Sequence, residues 1–201
     1  NVISMAVGNT GAQMGGWYRK EIKSAADLKG LKFRVGGLAG MVLSKLGVVP
    51  QQLAAGDLYT ALEKGVIDAA DYTVFATNYQ QGYHKYAPFA IYPGFHSMPM
   101  KDISINKATW DGLSDEQKRI LEESVDAFTA QLIGDLQTKD EEQVAIAKQK
   151  GDVTLTTLPA EELKKFRQIA RAEWSAWRDR SPEAKEAVDS IQAYLQSKGL
   201  L

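Results

Sequence analysis

An arginine in a short apolar segment is the residue of this chain best suited to bind an anion. Arg34 lies among Leu31, Phe33 and Val35, which are spaced two residues apart. This period predicts a strand with the apolar side chains on one face and Lys32 and Arg34 on the other. Ligands of open α/β sheets collect beyond the carboxyl ends of the strands, where an arginine can pair with a carboxylate or a phosphate. An ordinary exposed arginine is the alternative, and this segment alone does not distinguish the two.

Several aromatic residues could line a pocket for the organic part of such an acid, because binding sites are mostly apolar with few polar groups. Each of them alone could equally be a core residue, and Trp17 lies where a helix would pack. His96 could donate a hydrogen bond to a carboxylate or keto oxygen, or it could be structural. These candidates are Trp17, Tyr72, Phe75, Phe95 and His96.

Catalysis is a second hypothesis for the same cleft. Arg34 could hold a carboxylate while Asp68, Asp71 or His96 acts as an acid or base, as a lyase or an isomerase requires. The sequence has no serine elbow, no phosphate-cradling glycine motif and no HExxH motif, and it has only two histidines. These residues therefore favour binding over catalysis.

Composition excludes several classes of function. The 24 basic and 25 acidic residues give a net charge of -1 without a basic run, which argues against nucleic acid as a partner. The absence of cysteine removes disulfides, thiolate zinc sites and cysteine nucleophiles. No apolar run approaches the roughly 20 residues that span a bilayer.

The first half alternates strands with short helices, a pattern typical of βα units around a largely parallel sheet. Proline cannot donate a hydrogen bond within a central strand, so the strand that contains Pro50 is expected at an edge. The predicted strands cover 2–7, 31–35, 48–50, 67–72, 89–92 and 102–106, and the first of these is expected to be buried. The predicted helices of this half cover 40–46 and 57–64.

The second half is predicted to be mainly helical. A capping box at Ser114 and Gln117 begins a helix that runs to about residue 150, and shorter helices follow over 160–178 and 182–197. The charged cluster 139–142 is expected to face water. The apolar stripe of the long helix is expected to pack on the protein's own core, whereas an interaction scaffold would expose it. That stripe consists of Leu121, Val125, Phe128, Leu132 and Leu136.

Three segments carry a resemblance to a known family. They read GNTGAQMGGW over 8–17, DLKGLKFR over 27–34 and YTALEKGVIDA over 59–69. In this order they resemble the solute-binding subunits of tripartite ATP-independent periplasmic (TRAP) transporters of the DctP type. The chain is most similar to the branch that binds keto acids and related organic acids.

The resemblance implies a two-lobed α/β fold in which Arg34 pairs with the ligand carboxylate. In the keto-acid branch, a glutamine, an acidic residue and an aromatic backbone carbonyl hold a cation such as sodium beside the ligand. Their motif positions here are Gln13, Asp71 and Tyr72. A second acidic position of that branch falls at about Ser97, so the cation site lacks one carboxylate.

Members of the family are longer, and this chain resembles their C-terminal two thirds. The resemblance implies that 1–70 and 110–160 form the second lobe, that 71–109 crosses to the first lobe and returns, and that the helices of 161–201 pack on the lobes. The returning strands then lack their sheet, so a second chain or a further segment is expected to supply the missing half.

The function implied by this resemblance is binding without chemistry. The protein is expected in the periplasm, where it captures a small organic acid by lobe closure and delivers it to the TRAP membrane subunits. An enzyme of the lyase or isomerase type is the alternative.

Overall fold

The computed structural model describes residues 1–11, 13–95 and 99–199. Its strands are β1 (Val2–Asn9), β2 (Trp17–Tyr18), β3 (Lys32–Arg34), β4 (Val49–Gln51), β5 (Ala69–Ala70), β6 (Phe89–Ile91), β7 (Met100–Asn106) and β8 (Thr154–Thr156). Its α-helices are α1 (Gly37–Ser44), α2 (Leu58–Glu63), α3 (Phe75–Gln80), α4 (Lys107–Asp111), α5 (Asp115–Lys150), α6 (Ala160–Arg178) and α7 (Pro182–Ser197). Short 3₁₀ helices cover Ala25–Leu28, Ala55–Asp57 and Tyr83–Lys85.

The strands form a six-stranded sheet and a separate two-stranded sheet. The larger sheet has the order β4-β3-β5-β2-β6-β8, and the smaller sheet pairs β1 antiparallel with β7. In the larger sheet β3 is parallel to both β4 and β5, and β6 is parallel to β8, as the alternation of strands and helices predicts. The exception is β2, which is antiparallel to both of its neighbours. A strand of two residues is too short to show a period of two, so the sequence did not predict β2.

The apolar alternation around Arg34 is confirmed. Leu31, Phe33 and Val35 are buried, whereas Lys32 is exposed and Arg34 is half-buried. The strand that contains Pro50 lies at the edge of the sheet, also as expected.

Two apolar clusters cover the two faces of the six-stranded sheet. Trp17 belongs to one cluster and Tyr18 to the other, because successive strand residues point to opposite faces. Residues from α2, α3 and the C-terminal part of α5 complete the cluster that contains Trp17. Residues from α1 and α6, among them Leu43 and Phe166, complete the other.

The long helix α5 connects the two sheets. It begins as predicted, with Ser114 and Gln117 in a capping box, and Gly151 ends it in the left-handed conformation at φ 68°. Its N-terminal half packs on β1, where the Thr129 hydroxyl lies 3.4 Å from the carbonyl oxygen of Ala6, and its C-terminal half packs on α3. In the part of the chain that the structure describes, no helix is long and apolar enough to cross a membrane.

Much of the small sheet and of the apolar stripe on α5 faces solvent, contrary to expectation. Val2 is 61% exposed and Met100 is 68% exposed, so β1 is not a buried strand. Within the stripe Val125 is buried, but Phe128 is 53% exposed. Two strands, the face of α5 and the short helix α4 that also packs on β1 and β7 leave these side chains exposed.

The strand pairing differs in two places from the lobe division implied by the resemblance. The division groups β1 with the second lobe, yet β1 pairs with β7 in a sheet of its own among the described residues. It places 89–91 with the returning strands, yet β6 lies inside the six-stranded sheet between β2 and β8. Both differences arise because pairing joins residues far apart in sequence, which motif order does not reveal. Of the C-terminal helices, α6 packs on α1 and on α7.

We expect Ser114→Ala to lower the free energy of unfolding by about 1 kcal/mol, because the Gln117 amide loses its side-chain acceptor. Urea denaturation followed by circular dichroism measures this change. Ser190→Ala, which alters an exposed serine on α7, is the matched control and should change stability by less than about 0.5 kcal/mol. Equal changes in both variants would contradict a stabilising cap.

Candidate functional site

The candidate site lies where three parallel strands end at one edge of the six-stranded sheet. Arg34 is the last residue of β3, and in the sheet register it faces Gln51 of β4 and Ala70 of β5. Asp71 and Tyr72 follow β5 directly. Parallel neighbours finish at the same edge, so this topology places Arg34 beside Asp71 and Tyr72.

Two backbone carbonyl groups hold the guanidinium of Arg34. Its Nε donates to the carbonyl oxygen of Leu53 at 3.1 Å, and its Nη1 donates to the carbonyl oxygen of Asp71 at 2.6 Å. Both acceptors are neutral, so these bonds orient the fork without cancelling its charge. A half-buried arginine held in this way can still pair with an anion through its remaining N–H groups.

The carboxyl group of Asp71 is buried close to this guanidinium. Its side chain is 9% exposed, and the backbone N–H of Asp71 donates to the carbonyl oxygen of Arg34 at 2.9 Å. Burial raises the pKa of the Asp71 carboxyl to about 7, although the positive charge of Arg34 lowers it. A carboxyl with this pKa changes charge near neutral pH.

Tyr72 and Tyr18 are two aromatic residues close to this charge pair. Tyr72 is 38% exposed, and the centre of its ring lies 5.7 Å from Cζ of Arg34. Tyr18 is buried and donates its hydroxyl to the carbonyl oxygen of Gly15 at 2.6 Å. Burial and the charge of Asp71 raise the pKa of the Tyr18 phenol well above its usual value. Sequence reasoning missed Tyr18, whose only signal was its position just after the GNTGAQMGGW motif.

Gln13 belongs to a loop that runs beside the segment after β6. Its side chain is buried and its Nε2 donates to the Thr10 hydroxyl at 3.3 Å. The N–H of Gly15 donates to the carbonyl oxygen of Ile91 at 2.8 Å. Gly94 lies against this loop so closely that a Cβ there would meet the carbonyl oxygen of Gln13, so no other residue fits.

Three other predicted site residues pack against aromatic side chains. Trp17 and Phe75 are fully buried in one apolar cluster with ring centres 5.0 Å apart, so neither side chain reaches an open pocket in this structure. Phe95 packs against Phe166 of α6, with ring centres 4.5 Å apart. His96, like Ser97, lies outside the described residues. The structure therefore brings together Arg34, Asp71 and Tyr72 of the predicted set.

One buried carboxylate contradicts the expectation that the cluster 139–142 faces water. Asp140 is 7% exposed, and its Oδ1 accepts a hydrogen bond from the backbone N–H of Ala76 at 2.7 Å. Because this donor is 64 residues away in sequence, no local pattern reveals it. Over residues 1–11, 13–95 and 99–199, no three or more histidine or acidic side chains gather as metal ligands.

A match to the model of a protein family identifies the family of this chain. The model of the DctP family, described as bacterial extracellular solute-binding protein, family 7, matches residues 1–180. The chain belongs to this family. The resemblance stated from the three motifs is confirmed, and DctP proteins are solute-binding proteins rather than enzymes.

Individual relatives of this DctP chain are informative. A monocarboxylate 2-oxoacid-binding periplasmic protein of Nostoc sp. is 47% identical over 121 residues, which are 60% of this chain and 33% of that protein. A TRAP periplasmic solute-binding protein of Pseudoalteromonas atlantica, solved with bound sodium and pyruvate, matches with a TM-score of 0.86 and 31% identity, over 98% of this chain and 60% of the other. A TRAP transporter solute-binding protein of Bordetella bronchiseptica was solved with copurified calcium and picolinate. It matches with a TM-score of 0.88 and 34% identity, over 99% of this chain and 59% of the other.

These matches confirm the fold class, a partial two-lobed α/β fold of the periplasmic-binding-protein type. The chain spans 33% of the length of the Nostoc protein. It spans 60% of the Pseudoalteromonas chain and 59% of the Bordetella chain.

We expect Asp71 to make the ligand-free protein less stable as the pH rises from about 4 to about 7. A carboxyl whose pKa rises from 3.8 to about 7 on folding keeps its proton in the folded state after the unfolded chain has lost it. Asp71 alone then contributes up to about 1.4 kcal/mol per pH unit. Asp71→Asn should remove this contribution.

Urea denaturation at several pH values in sodium-free buffer measures the effect. Asp57→Asn, which alters an exposed aspartate before α2, is the control and should keep the wild-type dependence on pH. Parallel profiles for wild type and Asp71→Asn would show that the Asp71 carboxyl titrates at its ordinary value.

Proposed function

We propose that this chain is part of a periplasmic solute-binding protein of a TRAP transporter, which captures a small monocarboxylate of the 2-oxo acid class. The supporting observation is the guanidinium of Arg34, held by two carbonyl oxygens at the edge where β3, β4 and β5 end. The substrate class is supported by the Nostoc relative, which is named as a monocarboxylate 2-oxoacid-binding protein, and by the pyruvate in the Pseudoalteromonas structure.

Arg34 is proposed to bind the carboxylate of the acid. A guanidinium fork and a carboxylate match in geometry, and the resulting hydrogen bonds are charge-assisted and therefore strong. The bonds to Leu53 and Asp71 already fix the orientation of the fork, so binding costs little additional side-chain entropy. The ring of Tyr72 beside the fork provides an apolar wall for the carbon chain of a small acid.

Closure of a second lobe is proposed to bury the ligand before delivery to the TRAP membrane subunits. A ligand closes two lobes only if it makes contacts in the closed state that the open state lacks. The exposed apolar faces of β1, β7 and α5 are proposed to be covered by the first-lobe segment or by a second chain. Such faces are costly to leave in water, which supports a covering partner.

A cation is proposed to lie beside the ligand, held by Gln13, Asp71 and the carbonyl of Tyr72. The sodium and calcium in the two solved relatives support a cation, and the buried carboxyl of Asp71 supplies one negative charge. Calcium usually takes six to eight oxygen ligands that include several carboxylates. A single carboxylate therefore favours sodium over calcium.

We expect Arg34→Ala to weaken binding of pyruvate by about 2 to 5 kcal/mol, because it removes the fork and leaves the carboxylate without its partner. Arg34→Lys keeps the charge but loses the two-pronged geometry, so its affinity should lie between those of wild type and Arg34→Ala. Isothermal titration calorimetry with the purified protein measures all three affinities.

Lys32→Ala is the matched control for this experiment. Lys32 lies on the same strand and carries the same charge, but its side chain is exposed on β3 away from the edge. This variant should bind pyruvate as the wild type does. Unchanged affinity in Arg34→Ala would exclude the proposed role of the arginine.

Removing the cation should weaken binding of the acid. After dialysis against a chelator in sodium-free buffer, we expect lower affinity for pyruvate that returns when sodium is added. Recovery with calcium but not sodium would show that the site takes the divalent ion despite its single carboxylate. Full affinity without either ion would exclude the cation site.

A further inference from the structure

Asp140 is a buried carboxylate that the proposed ligand contacts do not use. It lies on α5 between exposed neighbours, Lys139 and Glu141, yet its own side chain is 7% exposed. Its Oδ1 accepts a hydrogen bond from the backbone N–H of Ala76 at 2.7 Å. Burial raises the pKa of this carboxyl, whereas the backbone N–H groups of Ala76 and Phe75 and the hydroxyl of Tyr92 lower it. Burying a charged group is costly, so these donors around one carboxyl indicate a position built to hold it.

The backbone donors belong to the segment that leads directly from the ligand site. Asp71 and Tyr72 are followed by two residues and then by the first turn of α3, which begins at Phe75. The residue before this helix, Val74, has no side chain that can cap it. Asp140 of α5 satisfies these free N–H groups from a different helix and thereby fixes where the 71–75 segment ends.

The same region is the junction between the two sheets. Chain segments leave β1 through Thr10 and Gly11 and leave β6 through Tyr92 and Pro93, and α5 passes between the sheets here. These segments line a cavity of about 260 Å³ together with Asp140 and its neighbours on α5. Protein interiors are normally close-packed, so a cavity at this junction leaves room for the sheets to rotate against each other.

We infer that Asp140 is a positioning residue, which ties the segment carrying Asp71 and Tyr72 to the helix that joins the two sheets. The inference rests on the proposed function. A carboxylate ligand bound by Arg34 acts on Asp71 through the hydrogen bond between the Arg34 guanidinium and the Asp71 carbonyl, and through the first turn of α3 on Asp140 and α5. Contact at the ligand site is in this way coupled to the angle between the sheets.

The test compares Asp140→Asn with the wild type in the purified protein, with pyruvate as the probe. Asparagine keeps the shape of the side chain but loses the charge that strengthens its hydrogen bonds. Calorimetry measures affinity, and small-angle X-ray scattering measures how far the radius of gyration falls when pyruvate is added. Glu142→Gln, at an exposed position two residues further along α5, is the matched control.

We expect Asp140→Asn to bind pyruvate about 10-fold more weakly, which is the effect of losing one charge-assisted hydrogen bond. Its radius of gyration should also fall less than that of the wild type when pyruvate binds. Glu142→Gln should match the wild type in both measurements. If Asp140→Asn does not fold, Tyr92→Phe, which removes one donor to the same carboxylate, replaces it under the same two measurements.

A variant with a lower melting temperature but wild-type affinity and wild-type compaction would show that Asp140 only caps α3, and would overturn the inference. Weaker binding with unchanged compaction would overturn the coupling to the sheet angle as well. Failure of the wild type to bind any small 2-oxo acid would instead overturn the proposed function, and the inference with it.

Discussion

The site depends on two hydrogen bonds that run in opposite directions between Arg34 and Asp71. The N–H of Asp71 donates to the carbonyl of Arg34, and the guanidinium of Arg34 donates back to the carbonyl of Asp71. Adjacent parallel strands that finish at the same edge place the two residues within reach of this exchange. The sheet topology therefore sets the distance between a fixed positive charge and a buried carboxyl group, and the electrostatics of the site follow from that distance.

Features that depend on neighbouring residues could be predicted from the sequence. The alternation around Phe33 and the capping box at Ser114 need only a few consecutive side chains, and both are confirmed. Features set by distant contacts could not be predicted. The burial of Asp140 depends on N–H groups of α3, and the pairing of β1 depends on β7 near residue 100. For the site, the strand end at Arg34 was predictable, whereas the carbonyl of Leu53 that orients it was not.

The two halves of α5 illustrate how one helix can serve different environments. In its N-terminal half the helix packs on β1, and the apolar stripe reaches solvent at Phe128. In its C-terminal half the helix joins an apolar cluster through Val144 and Ala147. A hydrophobic pattern on a helix shows which face will be covered but does not show which part of the protein covers it.

The edge strand β4 has a consequence for how the protein meets other proteins. Pro50, in the middle of this three-residue strand, has no N–H to offer a further strand. The opposite edge, β8, is also only three residues long. Short edges and a proline discourage strand addition, which protects the sheet from aggregating edge to edge at high concentration. Contacts with another protein would then use helices and loops rather than an extension of this sheet.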